Sequence, residues 1–154
     1  MKLEQIEAIK QLKARYFRAL DSKDWSLMRT CLHADCIALY DGGKYSFEGR
    51  DAIVDFFQQF MSSPELIFMH HGHTPEITAI NDQQAKGIWY LNDKVINLGN
   101  NTTLEGAGFY HDEYRYTDGQ WLIAKTGYER TFEEIHSREN VQLNYNRFAA
   151  NAEA

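Results

Sequence analysis

The apolar residues of this chain repeat at two different periods, and the change near residue 66 limits the fold more than any other feature. Before it, Leu3, Ile6, Ile9, Leu12, Tyr16 and Leu20 recur at three- and four-residue steps, with Ala8, Phe17 and Ala19 widening the stripe. That is the pattern of a long amphipathic helix. Asp21-Ser22-Lys23-Asp24-Trp25 interrupts it with capping residue types, and Leu27, Met28, Cys31 and Leu32 resume it as a short second helix. Residues 37–40 and 45–47 flank the turn Asp41-Gly42-Gly43-Lys44 as a small hairpin. Asp51 is expected to cap a third helix with the apolar face Ile53, Val54, Phe56, Phe57, Phe60 and Met61, and Pro64 stops it.

From Leu66 onward the pattern is that of strands, expected over 66–71, 77–80, 85–97, 104–117 and 121–130. Asp118-Gly119 predicts a type I′ hairpin turn, whose two central residues both need positive φ. Three helices followed by a run of strands is an α+β order. A strongly curved mixed sheet that curls round the helices encloses an apolar interior, and aromatic residues make up 14% of the chain, many of them on the strands. Pockets of that kind are default ligand sites. The 154 residues suit a single domain, expected over 1–135, followed by a polar, partly helical tail over 136–154.

The charge balance narrows the partners. Sixteen Lys+Arg against 22 Asp+Glu give −6, with no basic run to meet nucleic acid or an anionic membrane. The longest apolar run, Cys36-Ile37-Ala38-Leu39-Tyr40, is far short of the ~20 residues a membrane span needs, and the first residues lack a signal-peptide apolar block. The expectation is a cytoplasmic protein. Two cysteines, Cys31 and Cys36, are too few for a disulfide framework and read as small buried hydrophobes.

Three of the six histidines lie in His70-His71-Gly72-His73. On a strand His71 and His73 point one way and His70 the other, so they do not converge on a metal, and none is expected. His70 follows Leu66-Ile67-Phe68-Met69 and enters the fold from a buried strand. At the floor of an apolar pocket it can act as a general base if a carboxylate supports the imidazolium. Asp21, where the first helix ends, is free to turn inward and supply that carboxylate; the competing account is a solvated turn or the cap of the second helix. His111 is a lesser candidate, because Asp112 and Glu113 follow it in a stretch that reads as solvent-tolerant.

The sequence resembles the SnoaL-like branch of the nuclear transport factor 2-like superfamily, an α+β cone. The resemblance spans about residues 3–135. It rests on Tyr16 with Asp21-Ser22-Lys23-Asp24-Trp25, on Gly49-Arg50-Asp51-Ala52-Ile53, on His70-His71-Gly72-His73-Thr74-Pro75-Glu76-Ile77 and on Gly87-Ile88-Trp89-Tyr90-Leu91-Asn92-Asp93. It extends through Tyr110-His111-Asp112-Glu113-Tyr114 and Gly119-Gln120-Trp121 to Gly127-Tyr128-Glu129-Arg130-Thr131-Phe132. Scytalone dehydratase, the bacterial bile-acid dehydratase and hexachlorocyclohexane dehydrochlorinase, to which the motifs are similar, are lyases with a histidine-aspartate pair. The resemblance sets that pair on His70 and Asp21, and further polar pocket residues on Tyr16, Asp93 and Arg130.

The implied function is a cofactor-independent lyase or isomerase acting on a hydrophobic ring or polyketide-like molecule. His70 with Asp21 takes a proton from carbon, and Tyr16 donates to developing negative charge, unless it is an ordinary core tyrosine. Asp93, buried with Trp89 and Leu91 on one strand face, acts as a protonated acid, unless it faces outward beside Lys94. Arg130, sharing a face with Tyr128, holds a substrate anion, unless it sits in an ordinary ion pair. Trp89, Tyr110 and Tyr128 complete the expected substrate wall. The alternatives are a binding protein that leaves its ligand unchanged and an oligomeric interaction subunit. A homo-oligomer, dimer or trimer, is expected in each case, since the second face of the sheet needs cover.

Overall fold

A computed structural model describes residues 1–149 of the chain. Among these, the elements run α1 (Leu3–Ser22), α2 (Trp25–Cys31), β1 (Leu32–Tyr40), β2 (Tyr45–Glu48), α3 (Arg50–Phe60), β3 (Leu66–Asn81), β4 (Gln84–Asn97), β5 (Thr102–Thr117) and β6 (Gln120–Ser137). The strands form one mixed sheet in the order β2-β1-β6-β5-β4-β3. Neighbours are antiparallel except β1 and β6, which run parallel. The apolar stripe of α1, namely Ile9, Leu12, Tyr16 and Leu20, is buried with Ile53, Val54 and Phe57 of α3 and with Trp89, Leu91, Tyr110 and Ile123 of the sheet. This is the α+β cone the sequence predicts.

Strands of 14 to 18 residues exceed the usual five or six by far. A sheet that long must bend, and its register shifts mark where. One lies in β3 between His73 and Glu76, and two lie where β5 meets β6, at Ala107/Gly108 and at Glu113/Tyr114.

Three expectations are corrected. The two short strands expected over 66–71 and 77–80 are a single strand, β3, because the break at Pro75 is absorbed as a bulge with Thr74 at φ 41°. Proline is tolerated there because β3 is a sheet edge and no ladder bond is lost. The cap of α3 is Gly49, at φ 90°, rather than Asp51. Asp51 falls inside the first turn and pairs with Arg29 of α2. β6 continues to Ser137, paired with β5 as far as Thr102.

Of the tail expected to be partly helical, residues 138–148 are turns and irregular chain, Ala149 is in a 3₁₀ turn, and residues 150–154 lie outside the described residues. Tail polar groups bond to the end of the sheet: Arg138 N to Asn101 O at 3.0 Å, Arg138 Nη1 to Thr103 Oγ1 at 2.7 Å, and Asn146 Nδ2 to Pro64 O at 2.9 Å. Asn146 Oδ1 also accepts from Phe148 N at 3.0 Å and Asn146 O from Ala149 N at 3.2 Å, so Asn146 caps a single helical turn. The tail therefore crosses the sheet end from β6 to the loop before β3. Asp118 and Gly119 take φ 51° and 83°, as the type I′ turn requires. Cys31 and Cys36 are free and buried, and burial pushes the Cys36 thiol up to about 12. No helix among the described residues is long and apolar enough to cross a membrane.

The β1–β6 pair depends on Gly127, opposite Leu39. A Cβ on Gly127 would stand 2.1 Å from the Leu39 carbonyl oxygen and 2.8 Å from its carbon, both backbone atoms that cannot swing away. Gly127→Ala is expected to cost about 1–3 kcal/mol. Thermal unfolding followed by circular dichroism should show a fall in Tm on the order of 2–12 °C.

Candidate active site

The end of α1 and the start of β3 meet through one aspartate. Asp21 Oδ2 accepts from the backbone N of His70 at 2.8 Å, and Asp21 Oδ1 lies 2.7 Å from His70 Nδ1. A carboxylate can only accept, so Nδ1 carries the proton and Nε2 is the lone pair left for a substrate. Both side chains retain some access, 10% for the imidazole and 29% for the carboxylate. The cap of α2 is Asp24, whose Oδ1 accepts from Leu27 N, so Asp21 has no helix to cap. Phe17 lies nearly parallel to the imidazole, at 13° and 6.3 Å, and Phe68 is 6.1 Å away. Gly72 makes room for Phe17, since a Cβ there would come within 2.4 Å of the ring.

Asp93 on β4 is directly opposite His70 in the β3–β4 register and is buried. Its two oxygens accept from Arg130 Nη1 and Nη2 at 2.8 Å each. Arg130 reaches from β6 across β5 only because Gly106, the β5 partner of Asp93, has no side chain; a Cβ there would sit 2.2 Å from Nη1. Arg130 Nε lies 2.9 Å from Glu133. The guanidinium, expected to hold a substrate anion, is thus paired with protein carboxylates. Asp93, expected as a proton donor, accepts from the Arg130 guanidinium through both of its oxygens. Tyr128 packs on this pair, its ring 5.2 Å from the Arg130 guanidinium carbon, and burial pushes its phenol up to about 12.

Tyr16 is fully buried, and its hydroxyl shares a 2.8 Å hydrogen bond with that of Tyr40. Tyr110 joins the cluster, its ring 5.5 Å from Phe17 and 5.4 Å from Tyr128. These tyrosines wall the interior on the side of His70. Trp89 stands elsewhere. It is four residues from Asp93 along β4, on the order of 13 Å at strand spacing, and its Nε1 donates to Tyr114 Oη at 2.8 Å.

Tyr114 opens a network the sequence reading missed. Asp112 is buried and accepts from Tyr114 and Thr126 at 2.7 Å each, while Lys13 Nζ lies 2.7 Å from Asp112 Oδ2. The Lys13 ammonium is 3.7 Å from the Tyr110 ring centre and 4.5 Å from that of Tyr16. Burial lowers the Lys13 pKa, although Asp112 opposes it. Asp112 alternates with Tyr110 and Tyr114 on the inner face of β5, a signal that could have placed it inside. His111 points to the outer face, where it borders a hollow of about 830 Å³, open solvent included, with Glu76, Lys86, Ile88 and Lys125.

His71 and His73 face each other at 5.5 Å, on the side of β3 away from His70. One group outside this site, Glu105, Glu134 and His136, has metal-binding atoms within 4.8 Å of one another, but the Lys94 ammonium, 2.5 Å from Glu105, already supplies a cation there.

The family model for the SnoaL-like domain matches residues 1–127. Among solved structures, a hexachlorocyclohexane dehydrochlorinase of type 3 from Novosphingobium barchaimii LL02 is 17% identical over 93% of this chain and 96% of that one, with a TM-score of 0.80. A scytalone dehydratase-like protein from Novosphingobium aromaticivorans is 17% identical over 92% and 97%, with a TM-score of 0.79. A cystatin-like protein of unknown function from Nostoc punctiforme is 18% identical over 84% and 93%, with a TM-score of 0.68. These likenesses concern the fold.

The aromatic interior has an alkaline signature. Burial raises Tyr16, Tyr40, Tyr110 and Tyr114 well above the ordinary value of 10.0. Above pH 10 the unfolded chain therefore loses phenolic protons that the folded one keeps, and stability falls as pH rises. Each such tyrosine contributes about 1.4 kcal/mol per pH unit. Lys13, lowered by burial, acts in the opposite sense and only below 10.5. Urea unfolding between pH 9 and 11.5 is expected to show this loss, and Tyr40→Phe should make its slope shallower by about 1.4 kcal/mol per unit.

Proposed function

The chain belongs to the SnoaL-like domain family, and from that premise we propose that it is a cofactor-independent lyase, His70 being the general base and Asp21 its supporting carboxylate. The observation that carries this reading is the two-point hold of Asp21 on His70, at 2.7 and 2.8 Å, which presents Nε2 as the free lone pair. Nε2 takes a proton from carbon next to a carbonyl, the C–H electron pair becomes the new double bond, and a leaving group departs from the adjacent carbon. If that group is hydroxide, the imidazolium returns its proton to it and water is released. Asp21 stabilises the imidazolium in between. General-base catalysis of this kind typically supplies ~10²–10⁴ in rate.

The substrate class follows from what surrounds the base. Phe17 and Phe68 flank the imidazole and suit a hydrophobic ring better than a charged chain. The Arg130–Asp93 pair is a fixed dipole beside the base, and Tyr128 is the phenol that stands next to it. Tyr16 is fully buried, its hydroxyl bonded to that of Tyr40. The names of two similar proteins, a dehydrochlorinase and a scytalone dehydratase-like protein, both describe eliminations.

One observation favours a second reading, a domain that binds or assembles without catalysis. Tyr16, Tyr110 and Phe17 fill much of the interior, and open hollows lie on the outer surface, among them those around His111 and Lys125 and one beside Lys23, Trp25 and Arg147.

A panel of cyclic ketones bearing β-hydroxyl or β-halogen groups, incubated with the protein in deuterium oxide and followed by proton NMR, separates the two. The wild type is expected to exchange or eliminate, and His70→Ala and Asp21→Asn should each lower the rate by ~10²–10⁴. Equal rates in all three proteins would remove the dyad, and recovery of a bound but unchanged compound would support the second reading.

A further inference from the structure

We propose that Lys23 is a positioning residue: it fixes the distance between Asp21 and His70 and ties that distance to the C-terminal tail. The inference rests on the reading of those two residues as the working pair. α1 ends in a Schellman motif, with Asp24 N donating to Ala19 O at 2.9 Å and Lys23 N to Leu20 O at 3.2 Å. Lys23 itself takes φ 56° and ψ 35°, a left-handed conformation that the backbone normally assigns to glycine at this position. A lysine here is locally disfavoured, so its side chain must serve something that glycine cannot.

What it serves is the junction with β3. The Lys23 ammonium donates to the carbonyl oxygen of Leu66 at 2.7 Å and to that of Ser63. Leu66 is the first residue of β3, four before His70, and Lys23 is two residues after Asp21. The end of α1 is therefore fastened to β3 twice, once through the Asp21–His70 pair and once through Lys23. Removing the second fastening leaves the dyad as the only side-chain hydrogen bonding between the end of α1 and β3 among the described residues, beside the packing of Phe17 on His70.

The tail meets the same ammonium. The ring centre of Phe148 is 4.2 Å from Lys23 Nζ, and that of Phe68 is 5.7 Å away. Asn146 Nδ2 donates to Pro64 O in the loop that Lys23 grips, and Trp25 Nε1 holds that loop from the other side through Ser62 Oγ at 2.9 Å. Partial burial lowers the Lys23 pKa, while the two carbonyl acceptors favour its charged form. Among the described residues it has no carboxylate partner. Its place is set by the backbone and the tail.

The test needs no substrate. A His70 Nδ1 proton held on a carboxylate resonates far downfield, and ¹⁵N-histidine labelling, with Asp21→Asn as the control that removes it, assigns the line. Lys23→Gly keeps the left-handed helix end, so circular dichroism and Tm should stay near wild type while the downfield line is lost or moves upfield. Lys23→Arg, which can still donate to both carbonyls, should restore it. Phe148→Ala should leave the line in place but speed its exchange with water severalfold. Lys23→Met, which keeps the apolar stem, serves if the glycine variant does not fold, and it should lose the line as well. A line unchanged in folded Lys23→Gly or Lys23→Met overturns the proposal alone, whereas absence of the line in the wild type overturns the dyad and this proposal together.

Discussion

The Asp21–His70 link joins the end of the first helix to an edge strand 49 residues further along the chain, and the arrangement of the site depends on it. Each oxygen of the carboxylate meets a different atom of one residue, a backbone N–H and a ring nitrogen. The first bond fixes where the strand lies against the helix, and the second fixes which imidazole nitrogen is free. Fold and tautomer are thus set by the same side chain. The remaining polar features of that end of the cone, Asp93 opposite His70 and Arg130 behind it, follow from the register of β3 on β4 and β4 on β5.

Much of this is legible in the amino-acid order. The three-and-four spacing from Leu3 to Leu20 marks α1, and the end of that stripe at Asp21 leaves this residue at a helix terminus, able to turn inward. Alternation along 66–71 separates His70 from His71 and His73. What the order does not show is who pairs with whom once strands are side by side. Arg130 and Asp93 each look like a group awaiting a substrate. They satisfy each other only because Gly106 opens a path between β6 and β4, and that depends on the register of three strands.

Asp112 fails to show itself for a related reason. Beside Glu113 and His111 it reads as part of a polar surface, yet one-in-one-out alternation puts it between Tyr110 and Tyr114, facing the helices. Its partner Lys13 lies on the buried side of α1, where a lysine breaks the apolar stripe. Two opposite charges that each look misplaced find one another in the interior, and their mutual hydrogen bonds make the burial tolerable. Along the tail, Arg138 and Asn146 bond to the sheet end and to the loop before β3, partners that composition alone does not name.

The bulge at Thr74-Pro75 bears on how the protein behaves in a crowded solution. A sixteen-residue strand on the border of a sheet presents a long row of unpaired backbone groups onto which a strand from another molecule could zip. Pro75 removes a donor from that row and the extra residue throws its spacing out of step, while the opposite border, β2, is only four residues long. Neither margin offers an unbroken template for intermolecular ladders, so the fold carries its own guard against amyloid-like stacking.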